Sequence, residues 1–111
     1  MKMLSQCPKC AGPLMNRFVG HAWIQNCIRA HHHISIWGDK NTEDIEWLSI
    51  TLNIKKFLRA RWNFKKRTLE ITDEKISLFN KEKCLQLPWI EPDLSNYDKL
   101  VSKIKTYIIL S

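Results

Sequence analysis

Trp47-Leu48-Ser49-Ile50-Thr51-Leu52-Asn53-Ile54 decides how this chain is read. Leu48, Ile50, Leu52 and Ile54 are apolar at every second position, and Trp47, Ser49, Thr51 and Asn53 fill the places between. Side chains alternate across a strand, so this pattern predicts one buried and one wet face. After Lys55-Lys56 the same period sets Leu58, Ala60, Trp62 and Phe64 against Arg59, Arg61 and Asn63. Leu69/Ile71, Ile76/Leu78 and Leu85/Leu87 follow, separated by Thr72-Asp73-Glu74-Lys75 and Asn80-Lys81-Glu82-Lys83. Polar turns at intervals of about 8–10 residues predict an antiparallel meander.

Upstream, Leu14 to Val19 and Ala22 to Ile28 flank Gly20 and predict a hairpin. The run from His31 to Trp37 breaks at Gly38-Asp39-Lys40-Asn41, a turn cluster. Downstream, Pro88 and Pro92 bracket a loop carrying Trp89. Ser95 reads as an N-cap, with Asp98 three residues on as the short form of a capping box. Tyr97, Leu100, Val101, Ile104 and Ile108 then recur at helical spacing, with Lys99, Lys103 and Lys105 on the other side. A sheet with one apolar face needs a cover, and this helix supplies it. The expected fold is α+β in a single domain over 1–111. It comprises a ribbon-like metal lobe (1–33), an antiparallel sheet (34–90) and a C-terminal helix (95–109).

The chain has 111 residues, 44% of them hydrophobic, with five Trp, which is enough for one modest core and speaks against disorder. Ile108-Ile109-Leu110 is too short an apolar run to cross a bilayer, so no membrane association is expected. Met1 to Gln6 lacks the apolar stretch of a signal peptide. Four Cys without such a leader point to a reducing, cytoplasmic setting, where paired thiols more often hold metal than form disulfides. The formal charge of +7 fits a polyanionic partner, either nucleic acid or an acidic protein face, and equally fits simple solubility.

Cys7-Pro8-Lys9-Cys10 is a knuckle whose two intervening residues let both sulfurs point at one ion. Zinc asks for four such groups. Cys27 and His31 complete the set as Cys-x2-Cys-x16-Cys-x3-His, with His33 or His21 as substitutes for His31. Position 30, where a second Cys-x-x-Cys would end, is Ala30. The second knuckle is therefore incomplete, and the opposing reading keeps Cys7 and Cys10 as ordinary thiols and His31 to His33 as polar residues at a strand start. Cys84 lies far off and reads as a small core or surface residue. A redox motif is disfavoured because no helical pattern follows Cys10.

Cys7-Pro8-Lys9-Cys10-Ala11-Gly12-Pro13-Leu14 resembles the first knuckle of zinc-ribbon proteins, in which Cys-Pro-x-Cys-x-x-x-Leu recurs. The resemblance covers the first 30 or so residues and implies a structural zinc. The remaining layout, closing on Lys103-Ile104-Lys105-Thr106-Tyr107-Ile108, is similar to small phage-encoded proteins that pair such a start with a β-sheet and a C-terminal helix. That second likeness implies a viral origin and hence the cytoplasm of a host cell. It implies no activity.

Residues 55–67 hold seven of the eighteen basic side chains: Lys55, Lys56, Arg59, Arg61, Lys65, Lys66 and Arg67. On a strand, Arg59 and Arg61 project to the wet face, where a Trp such as Trp47 is placed to stack on a base. Trp62 and Phe64 alternate with them and belong to the core. The competing explanation is a solvated charged face. For catalysis, His31 and His33 share a face while His32 does not, and Glu43, Asp44 and Glu46 follow a turn as solubility alone demands. No nucleophile elbow, phosphate loop or His-Glu-x-x-His pair is present. The expected function is a non-catalytic, basic binding module that contacts nucleic acid or a nucleic-acid machine such as a polymerase. The alternatives are a protein-interaction or inhibitor protein on an acidic surface and, last, a metal-dependent hydrolase.

Overall fold

The computed structural model describes residues 3–29, 33–53, 58–73 and 85–110. Among the described residues seven strands follow in chain order: β1 (Leu14–Val19), β2 (Ala22–Cys27), β3 (Ile34–Asp39), β4 (Ile45–Asn53), β5 (Leu58–Asn63), β6 (Thr68–Asp73) and β7 (Leu85–Leu87). They form one sheet in the order β1-β2-β3-β4-β5-β6-β7, every neighbour antiparallel. Among the described residues this is a meander. A 3-10 turn, Leu94–Asn96, leads into α1 (Tyr97–Leu110). The architecture is α+β, as the alternation and the helical spacing foretold. Ile76 and Leu78 lie outside the described residues.

Register explains why alternation works. Gln25 faces Ile36, Ile36 faces Leu48, Leu48 faces Trp62, Trp62 faces Leu69 and Leu69 faces Leu87. The next row runs through Ile34, Ile50, Ala60, Ile71 and Leu85. Tyr97, Leu100 and Ile104, at i, i+3 and i+7 of α1, are buried in the same apolar cluster. Trp62 is fully buried, and its indole N–H donates to Ile90 O at 2.8 Å, so the loop carrying Pro88 and Pro92 is tied under the sheet.

Two local readings are corrected. Gly38, expected in a turn, lies inside β3. A Cβ there would stand 2.1 Å from the Trp23 ring and 2.6 Å from Asp44 O, so glycine is required by close approach. The helical segment begins one turn early as 3-10, so the cap moves upstream of Ser95. Asp93 Oδ1 accepts from Ser95 N at 3.2 Å and also from the Ser95 hydroxyl. Gly20 behaves as expected. Its φ of +61 fits the first central residue of the two-residue loop between β1 and β2.

Candidate metal centre

Three stretches of chain meet at the start of the sheet. Cys7 N donates to Gly12 O (2.9 Å) and Ala11 N to Cys7 O (2.8 Å), closing a tight loop that turns both knuckle sulfurs inward. Ala11 takes φ 56 to close it, a left-handed conformation unusual for alanine. Leu14 pairs with Cys27, and Ile28 N donates to Pro13 O (3.2 Å), so the base of the β1–β2 hairpin brings Cys27 beside the knuckle. His33 stands just before β3. Its carbonyl accepts from Thr51 N (3.2 Å) on β4 and from the Tyr97 hydroxyl (3.0 Å) at the start of α1.

The ligand atoms converge. Cys10 Sγ lies 3.6 Å from Cys27 Sγ, while His33 Nδ1 lies 3.8 Å from Cys7 Sγ and 3.9 Å from Cys27 Sγ. All four ligand atoms fall within 4.8 Å of one another. Sulfurs about 2.3 Å from a shared tetrahedral zinc sit about 3.8 Å apart, so the contacts between these atoms match the edges of such a coordination sphere. Cys7 and Cys27 are buried, Cys10 and His33 half-buried, and all three cysteines are free thiols.

The surroundings tune the thiols in opposite senses. Burial pushes Cys7 up to about 11. Cys10 is pulled below its usual value, first by the Gly12 N–H donated to its sulfur, with the Arg29 charge adding to the effect. Gly12 packs closely here: a Cβ would meet Cys10 Sγ at 3.2 Å and the Arg29 side chain at 3.0 Å, so both would have to shift slightly. A donor set of three thiolates and one imidazole suits a soft or borderline divalent ion held in a closed site.

Buried Gln25 secures the chain ahead of the knuckle. Its Nε2 donates to Leu4 O and to Asn16 Oδ1, both at 2.9 Å, and its Oε1 accepts from Leu4 N at 2.8 Å. A buried amide with three partners costs little and fixes direction. Sequence reasoning missed it because Gln25 sits at an inward position of an otherwise apolar alternation.

Of the expected ligands, Cys7, Cys10 and Cys27 are brought together, and the histidine beside them is His33, one of the two substitutes. His31 lies outside the described residues, as do Cys84, Lys55 and Lys56. His21 is removed as an alternative: it forms the turn at the far end of the β1–β2 hairpin, six strand residues or about 20 Å from Cys27.

The basic residues divide. Asn63 Oδ1 accepts from Lys65 N and Lys66 N, both at 3.1 Å, and so builds the β5–β6 turn that carries them. Lys65 pairs with Glu46 at 3.0 Å. Arg67 stacks over Trp89 at 4.6 Å and meets Glu91 at 3.4 Å. Arg61 is exposed on the sheet face opposite α1, and Arg59 on the same strand face is half-buried, with its Nε and one terminal guanidinium nitrogen shut off from solvent. There they line an open-sided depression of about 310 Å³ with Ser35, Trp37, Trp47 and Ser49. Trp37, not anticipated, shares this face because it has the same parity as Ser35 on β3. No helix among the described residues is long and apolar enough to cross a membrane. No protein-family model, curated protein or solved structure matches this chain.

Proposed function

We propose that this chain is a non-catalytic nucleic-acid-binding module whose N-terminal lobe is closed by a structural zinc ion. Cys7, Cys10, Cys27 and His33 fill all four positions of a tetrahedral site, and a filled site leaves no position for the water that a hydrolase needs. The ion's work is then to hold the knuckle, the hairpin base and the entry of β3 together. Such a site is the part of the zinc-ribbon resemblance that the geometry supports.

One observation carries the nucleic-acid half. The charged side chains lining the open-face depression, Arg59 and Arg61, are both arginine, on a chain of formal charge +7. Arg61, exposed on this face, can neutralise a phosphate at low desolvation cost, and the half-buried Arg59 adds its charge beside it. The test is retention on immobilised DNA or RNA across a salt series, with the double variant Arg59→Glu/Arg61→Glu alongside. Binding that falls steeply with salt and vanishes in the variant, with circular dichroism unchanged, is the expected result. Absence of retention at low salt, or retention indifferent to both substitutions, overturns this half. It would leave a basic protein whose partner is an acidic protein surface.

A further inference from the structure

We infer that the open sheet face is a stacking platform for single-stranded nucleic acid, with Trp37 and Trp47 receiving bases and Arg59 and Arg61 holding the backbone. This rests on the nucleic-acid reading above and specifies which form of nucleic acid that face selects.

The two tryptophans are direct cross-strand partners on β3 and β4, Trp37 opposite Trp47. Large aromatics in a sheet are ordinarily covered, as Trp23 and Trp62 are in the core, at 1% and 0% exposure. Trp37 is 47% exposed. Its neighbour Trp47 carries the Arg61 guanidinium 4.8 Å from its ring centre. Arg61 faces Glu70 across β5 and β6, but the Glu70 carboxylate accepts from Gln86 Nε2 at 2.8 Å while the guanidinium lies over the indole. An arginine laid on an aromatic presents a flat cationic surface already desolvated on one side, which suits a base or a phosphate.

The lining favours an unpaired strand over a duplex. Ser35 and Ser49, cross-strand partners in the row next to Trp37 and Trp47, add hydroxyls to the lining that can bond to base edges or phosphate oxygens. A depression of about 310 Å³ has room for an extruded base. A duplex hides its base faces in its own stack, so Trp37 would gain nothing from it and only the arginines would engage. Stacking on indole is tolerant of base identity, so little sequence preference is expected.

The experiment uses the full chain with an oligo-dT of about 20 nucleotides, a duplex of equal length and heparin, read by tryptophan fluorescence and by competition. Expected are quenching by the single strand, tighter binding of it than of duplex or heparin, and a loss of about fivefold to a hundredfold in Trp37→Ala. Trp37 is the variant of choice because its exposure leaves the core intact, and Trp37→Phe should recover part of the affinity. Equal, salt-sensitive binding of all three polyanions that Trp37→Ala leaves unchanged overturns the platform and spares the general nucleic-acid reading. Failure to bind either nucleic acid at low salt removes both.

Discussion

Gly38 and Ala11 show how single residues are set by their neighbours. At Gly38 the Trp23 ring occupies the space of a Cβ, so Gly38→Ala should destabilise the protein by about 2–4 kcal/mol in chemical denaturation. A loss under about 1 kcal/mol would mean that the ring has room to move. Ala11 is the opposite case. Its φ of 56 is easier for glycine, so Ala11→Gly should be neutral or stabilising by up to about 1 kcal/mol in the same assay. A clear destabilisation would show that the methyl group, not the backbone, matters there. Cys7 brings in pH. Its thiol is held protonated up to about 11, so ion binding near neutrality has to expel that proton. Apparent ion affinity should therefore weaken as pH falls, about tenfold per unit for each proton displaced, and competition with a chelator at several pH values measures it. A flat profile would mean that Cys7 is not a ligand.

At the scale of elements, legibility followed period. β4 could be read because Leu48, Ile50 and Leu52 alternate without interruption, and α1 because Tyr97, Leu100 and Ile104 repeat at helical spacing. What the sequence hid were contacts between elements. That Gly38 belongs in a strand depends on Trp23, fifteen residues away and on β2. His33 stood behind His31 as a substitute, alongside His21, because choosing among histidines needs the position of the β1–β2 turn and of the entry to β3. Tyr97 is such a hidden contact. Its hydroxyl reaches His33 O (3.0 Å) and Thr51 O (3.3 Å), its ring lies under Lys9 Nζ at 5.4 Å, and burial raises its pKa. This side chain joins α1, the knuckle and the histidine of the Cys-His cluster. Tyr97→Phe should cost about 1–2 kcal/mol in stability and also weaken ion binding, because His33 loses a tether. A variant of unchanged ion affinity would limit Tyr97 to packing.

Over the whole molecule the sheet divides labour between its faces. One face is closed by α1 and ends at the Cys-His cluster; the other stays open and carries Trp37, Trp47, Arg59 and Arg61. β3 runs between the two, starting beside His33 and holding Trp37 near its far end. If the open face neutralises phosphates, Arg61→Ala should make the log–log salt dependence of single-strand binding shallower by about 0.7. An unchanged slope would place the phosphate contacts elsewhere. A lobe of this size has little core of its own, so on the proposed reading an ion at the Cys-His cluster would carry much of its stability.

Metal content of the native, untagged chain, by intact mass and elemental analysis, bears most directly on that claim. The account predicts one zinc per chain, lost in Cys27→Ser and in His33→Ala, with the lobe unfolding on chelation. A folded wild-type chain without metal, or a full equivalent retained after Cys27→Ser, would contradict it.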